Sequence, residues 1–273
     1  MIAVELKKLF RRPRTWATLL LLDLLPTVVA VLLATTHLGP RPGQGPAFLS
    51  AVLANGELFS VAALAIVLPL FLPIAVAVIA GDSIAGEAAG GTLRYLLSRP
   101  VSRARLLVAK LTAAVVFVLT AVVVVAGTGF AVGSAILGTE PLSSTTSIVS
   151  VSGSTLTVQQ VLVRTVLAVL YVGLSMLGVA AVALMLSTFT DSALGASLGA
   201  LAFLVGSSLL LTLDAARSIK AYLPTRYWLS FIDLFRDPIL WRDVERGVAL
   251  QLVYVAVFFG IAWANFTTKD ITS

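Results

Sequence analysis

The sequence predicts an all-helical membrane protein: six transmembrane helices, an N-terminal interfacial helix, a cytoplasmic helix between spans 2 and 3, and outer amphipathic helices between spans 5 and 6. Three observations carry that prediction. Apolar residues make up 59% of the 273-residue chain and charged residues 12%, against roughly 45–50% apolar in a soluble domain, and mean hydropathy is +1.02. The apolar residues fall in six runs close to the ~20 residues that cross a bilayer. The basic residues cluster beside those runs, where they orient a membrane protein. Only a helix satisfies its own backbone hydrogen bonds in hydrocarbon, so each run reads as a helix. One transmembrane domain over 1–273 is expected. Cysteine is absent, which excludes disulfides, thiol catalysis and Cys-ligated metals. The net charge of +6 lies in span-flanking clusters and is no nucleic-acid footprint.

Within 1–15, Ile2, Leu6, Leu9 and Phe10 recur at helical spacing, with Lys7, Lys8, Arg11 and Arg12 on the remaining surface. This fits either a helix lying in the inner interface or a positive-inside anchor without defined structure. Pro13 marks the bend into span 1, 16–36, which carries Asp23 and Pro26. That run is longer than the ~7–15 residue apolar core of a signal peptide, and the chain begins at Met1, so a retained span is expected. Span 2, 58–80, holds Pro69 and Pro73, which suggest a kink. Span 3, 106–137, has Gly129 and Gly133 at the four-residue spacing that lets helices approach closely. The Ser/Thr-rich loop 138–158 reads either as a small hairpin around Ser152–Ser154 or as a polar connector. In span 4, 161–186, Arg164 can snorkel outward. Asp191, in the turn before span 5 at 192–213, is expected to cap that helix. The loop 214–246 places Tyr222, Tyr227, Trp228 and Trp241 among aliphatics, with Pro224 and Pro238. It reads as short helices on or dipping into the outer leaflet, acting as a lid or lateral gate or as an anchoring aromatic belt. Span 6 covers 248–266.

Lys7, Lys8, Arg11, Arg12 and Arg14 precede span 1, and Arg94, Arg99, Arg103, Arg105 and Lys110 follow span 2, so both clusters belong in the cytoplasm. Both termini are then inside, in a membrane expected to be the prokaryotic plasma membrane. Loop 214–246 falls outside, although it carries Arg217, Lys220, Arg226, Arg236, Arg242 and Arg246.

Between spans 2 and 3 lies a polar, arginine-bearing island, GDSIAGEAAGGTLRYLLSRPVSRARLLVAK, from Gly81 to Lys110. Ser83 to Leu97 can form a helix with Ile84, Leu93, Leu96 and Leu97 flanked by Glu87 and Arg94. Pro100 must end it, and Ser102 can cap the next helix. Gly86, Gly90 and Gly91 suggest a break or a close backbone approach.

The run Gly86-Glu87, Gly91-Thr92-Leu93, Leu96-Leu97-Ser98-Arg99-Pro100-Val101-Ser102-Arg103 and Lys110 resembles the coupling segment of type-2 ABC exporter permeases, the ABC-2 family of transporter proteins. Phe10-Arg11-Arg12-Pro13, the six spans and the aromatic outer loop match that layout too, so the resemblance covers essentially the whole chain. Where the family commonly places further charges after the Glu, this chain reads Ala88-Ala89-Gly90, leaving Glu87 and Arg94 as the charged contacts. The resemblance implies a permease subunit that dimerises with a second permease copy and binds two copies of a separate ABC ATPase, which would hold ATP and Mg. It implies that 81–105 is the coupling segment, with Glu87, Gly91, Thr92, Leu93, Arg94, Leu96, Leu97, Arg99, Pro100 and Arg103 engaging the ATPase. Glu5, Lys8, Arg11 and Arg12 of the N-terminal helix would add to that contact.

The chain contains no G-x-x-x-x-G-K-[ST], so it brings no phosphate-cradling loop of its own, and no catalytic, cofactor or metal residues are expected in it. Gly195-Ala196-Ser197-Leu198-Gly199 fits G-x-S-x-G and raises an intramembrane serine hydrolase. A hydrolase needs a base within hydrogen-bond reach, and the only histidine, His37, belongs at the opposite membrane face, so helix packing is the better reading. An ion-coupled secondary transporter is the main rival, and Asp23 is the residue it would place on a substrate path. A non-transporting scaffold is a third class.

Overall fold

The computed structural model describes residues 1–36, 56–92, 102–136, 148–150, 152 and 154–268. The helices are α1 (Ile2–Arg11), α2 (Pro13–Thr36), α3 (Phe59–Val67), α4 (Phe71–Ala89), α5 (Arg103–Ile136), α6 (Val158–Phe189), α7 (Ala193–Thr212) and α8 (Trp241–Thr268). Among the described residues, α2 and α4 to α8 are the six helices long and apolar enough to cross a membrane, and they are spans 1 to 6 in chain order. The chain is an integral membrane protein.

Span 4 is the hub. It packs against spans 2, 3, 5 and 6, and 67% of its apolar window is buried, against 22% for span 1 and 17% for span 6. Its buried face carries Ala168, Val172, Ser175, Met176, Val179, Ala180 and Ala183. These mostly small residues let helices approach closely where apolar burial by itself gives no driving force in lipid.

The second apolar run is broken rather than kinked. α3 ends at Val67, and Leu70, at φ −139° and ψ −58°, separates it from α4. Pro73 then lies in the first turn of α4, where its missing N–H has no intrahelical partner to lose. α3 lies against the far half of span 3, where Gly129 and Gly133 face it. A Cβ at Gly129 would come within 2.8 Å of the Ala63 Cβ, and one at Gly133 within 2.5 Å of the Phe59 Cβ and into the Gly56 carbonyl. Gly133→Val is therefore expected to push α3 off span 3 and to cost at least the ~1–3 kcal/mol of an overpacked core. Thermal unfolding in detergent reads this as a lowered midpoint.

At the end of the bundle opposite α1, Ile148–Val149 and Thr155–Leu156 form a short antiparallel ladder, pairing Ile148 with Leu156 and Val149 with Thr155. Of the two readings of this loop the hairpin is the one that forms. It delivers the chain to Thr157, whose capping box with Gln160 starts span 4. The cap of span 5 is Ser192 rather than Asp191: its hydroxyl accepts from the Gly195 N–H at 3.1 Å.

The segment between spans 5 and 6 corrects the sequence expectation most. It consists of 3₁₀ turns at Asp214–Ala216 and Lys220–Tyr222 and a 3₁₀ helix at Trp228–Phe235. α8 starts at Trp241, inside the expected loop. Tyr227, Trp228, Phe231, Leu234 and Phe235 are buried against protein instead of lying in a leaflet, while Tyr222 and Trp241 stay exposed. Two hydrogen bonds draw the segment inward. The Tyr171 hydroxyl donates to the Tyr227 carbonyl at 2.6 Å, and the Gln251 side-chain amide donates to the Pro224 carbonyl at 2.8 Å. Gln251 is ten residues into α8, about 15 Å along the helix at 1.5 Å per residue. Arg164 does not snorkel: at 6% exposure it donates to the Arg236 carbonyl at 2.9 Å and lies 3.6 Å from Asp237. It thereby ties span 4 to the same segment.

Candidate functional site

The charged residues of the N-terminal helix meet those of the island at one end of the bundle. Glu5, Lys8 and Arg12 are three and four residues apart, so they share one face of the α1 turn. That face lies on span 3 and reaches span 2 through the Lys8–Glu87 and Arg12–Asp82 pairs, with Glu5 and Leu9 buried. The bend after Arg11 is fixed from span 1: the Thr15 hydroxyl donates to the Leu9 carbonyl at 2.7 Å and the Trp16 indole N–H to the Phe10 carbonyl at 2.8 Å. Pro13 supplies a first helical residue with no N–H to satisfy. The N-terminal segment is thus a defined helix and not an unstructured anchor.

Lys110, at the start of span 3, is the centre of the cluster. Its ammonium lies 2.8 Å from Glu5 and 2.5 Å from Glu87, and Lys8 pairs with the same Glu87 oxygen. Glu87 and Lys110 are each 3% exposed and Glu5 7%. At the rim, Arg12 donates to Asp82 at 2.9 Å and Arg14 joins the same oxygen. The charged groups enclose a cleft of about 50 Å³. The rim pairs, in which Arg12 and Arg14 reach solvent, contribute less than the buried core, ~1 kcal/mol or below each. The buried core differs, because removing one partner strands an ion away from water.

Further ties make the adjoining ends of spans 2, 3, 4 and 6 one unit. The Ser187 hydroxyl of span 4 accepts from the Ile84 and Ala85 N–H groups at 3.1 and 2.8 Å. Asn265 of span 6 donates to the Thr188 carbonyl at 3.0 Å. Arg103 reaches the Thr267 carbonyl at 3.4 Å.

The expected helix from Ser83 to Leu97 is not separate: 83–89 complete span 2. It stops at Gly90, after which Gly91 takes φ +66°, a conformation that disfavours residues with a Cβ. The Thr92 hydroxyl donates back to the Glu87 carbonyl at 3.2 Å. On the other side of the island, Ser102 caps span 3, accepting from the Arg105 N–H at 3.4 Å. Leu93, Arg94, Leu96, Leu97, Arg99 and Pro100 lie outside the described residues.

Glu87 faces inward in the structure. Its carboxylate is turned into the protein onto Lys110 and Lys8, so it is not offered as a surface contact, and Glu5 is likewise internal. Lys7 and Arg11 are exposed. Asp82, Arg14 and Lys110 were not among the expected contact residues. The available signal was charge complementarity, with Asp82 and Glu87 in the island facing a basic N-terminus that holds a single acid, Glu5.

Asp23 is half-buried in span 1 and accepts from the Thr128 hydroxyl of span 3 at 2.8 Å, so it bridges two helices. Ser197 is buried, and its hydroxyl donates to the Ala193 carbonyl at 2.9 Å. It packs against Gly81 of span 2, where an added Cβ would lie 2.6 Å from the hydroxyl oxygen. This is the close helix approach that small residues permit. His37 lies outside the described residues.

No curated protein matches the chain closely enough to count as a relative. The family described as "ABC-2 family transporter protein" matches residues 1–234, which take in α1, the charged cluster, five of the six spans and most of the segment before the sixth. The chain therefore belongs to the ABC-2 family of transporter proteins, as a membrane-spanning permease.

Proposed function

We propose that this permease is the membrane half of an ATP-driven exporter. It pairs with a second permease copy, and two copies of a separate ABC ATPase bind at the α1 end, which faces the cytoplasm. ATP and Mg act in those ATPases. The observation that carries the proposal is the buried Glu5–Lys110–Glu87 cluster, which locks α1 to spans 2 and 3 at the two ends of the island. A soluble motor can move membrane helices only through an element that is stiff and anchored at both ends, because a slack loop absorbs the displacement. The anchors are the Thr92–Glu87 hydrogen bond on one side of the island and the Ser102 cap on the other. Glu87 acts as a brace instead of a contact. Leu96, Leu97 and Arg94 are the residues assigned to ATPase docking, and Arg11 of α1 adds an exposed cation. At the opposite end, the buried segment around Trp228 and Phe231 closes the bundle until the spans move.

Leu96→Asp combined with Leu97→Asp is expected to abolish co-purification of the ATPase while leaving the thermal unfolding midpoint of the permease unchanged. Retained ATPase binding by this variant overturns the docking assignment.

A further inference from the structure

The end of the fold opposite α1 carries a second charged feature that transport coupling does not use. A cavity of about 560 Å³ opens there, lined by Asp214, Arg217, Lys220, Arg226, Tyr227 and Arg246. Four cations face one acid. Arg246 approaches Asp243 at 4.0 Å, with both side chains about half exposed. Arg217, Lys220 and Arg226 have no ion-pair partner within that distance among the described residues. Four cations around one space raise the local positive potential and favour an anion in it. On an outer loop, Lys and Arg also oppose the orientation that the rest of the chain enforces. The cavity falls within the ~300–1,000 Å³ usual for small-molecule sites, and guanidinium forks match a phosphate's oxygens in pairs. Next to its lining residues in the chain, Leu213, Ile219 and Tyr222 are 52%, 45% and 70% exposed, and Leu209, one turn before Leu213 on span 5, is 60% exposed. Anionic recognition and an exposed hydrocarbon track therefore adjoin.

We propose that the basic cavity formed by Arg217, Lys220, Arg226 and Arg246 binds the phosphate headgroup of an anionic amphiphile whose acyl portion lies along the exposed face of span 5. The proposed function enters only in placing this end on the outer side of the membrane. Binding itself needs neither the ATPase nor that sidedness, so the two fail separately.

The test is native mass spectrometry of the delipidated chain in neutral detergent with dioctanoyl phosphatidic acid, dioctanoyl phosphatidylcholine and inorganic phosphate. One phosphatidic acid per chain is expected, weakened about tenfold in Arg226→Gln, as befits the loss of one charge-assisted hydrogen bond. Arg242→Gln removes an exposed charge from the same segment but outside the cavity, and should change binding less than twofold. Arg226 is itself exposed, so its variant keeps the wild-type unfolding midpoint. Weakening of wild-type binding by added salt is a second reading that needs no variant. Phosphatidylcholine binding as well as phosphatidic acid, equal losses in the two variants, or salt-independent binding overturns the site. Displacement of phosphatidic acid by an equal concentration of inorganic phosphate overturns the amphiphile in favour of a free anion. Sidedness is read independently from a single cysteine, Ala221→Cys, in a chain that has no other. Labelling of intact cells by a membrane-impermeant maleimide places the cavity outside. Labelling only after lysis refutes the orientation and leaves the binding result standing.

Discussion

Lys110→Met is expected to lower the stability of the permease by about 3–5 kcal/mol, the cost of stranding a buried ion-pair partner. The ammonium is the shared cation of Glu5 and Glu87, all three groups are nearly inaccessible to water, and Lys8 is left to serve Glu87 alone. α1 should detach first, seen as limited proteolysis between α1 and span 1 at a protease dose that spares the wild type. Replacing all three charges together, with Glu5→Gln and Glu87→Gln added to Lys110→Met, should recover much of the loss, since an exchanged buried cluster is often close to neutral. An unchanged melting midpoint and intact α1 in the single variant would mean that the cluster does not hold the helix.

The second large effect is expected at the other end. Tyr171→Phe and Gln251→Leu each remove the donor that holds a buried carbonyl of the inward-folded segment, Tyr227 and Pro224 respectively. Each should cost about 1–3 kcal/mol, the penalty of an unsatisfied buried acceptor. The two residues seat the same segment, so the double variant should depart from additivity. Trp228, 4% exposed, is the reporter. With the other three tryptophans replaced by Phe, its emission should shift to longer wavelength and become quenchable by acrylamide when the segment lifts out. Unaltered quenching in the double variant would show that apolar packing alone seats it.

Much of this architecture was legible in the sequence, because length and apolarity decide what spans a bilayer and leave little room for another answer. The helical form of the N-terminus, the close approach at Gly129 and Gly133 and the Ser102 cap were legible for local reasons of spacing and residue type. What escaped involved partners distant in the chain. Glu87 looks like a surface residue until Lys110 and Lys8, 23 and 79 residues away, close over it. Trp228 and Phe231 have the composition of an aromatic belt, and the Tyr171 and Gln251 hydrogen bonds that hold their segment inward come from distant positions on two other helices. Pro69 and Pro73 signalled a bend but not its size, which depends on α3 finding the glycine face of span 3. The Ser192 cap lies one residue from the expected Asp191, where the turn places a hydroxyl instead of a carboxylate over the first helical N–H groups.

The central claim is that this permease is driven by a separate ATPase docked beneath α1 and the island. Its most direct test is affinity purification of the tagged chain from native membranes in mild detergent, with the recovered proteins identified and counted by mass spectrometry. A stoichiometric ABC ATPase, lost in the Leu96→Asp/Leu97→Asp variant, is the expected result. A homo-oligomer free of any nucleotide-binding protein contradicts the claim.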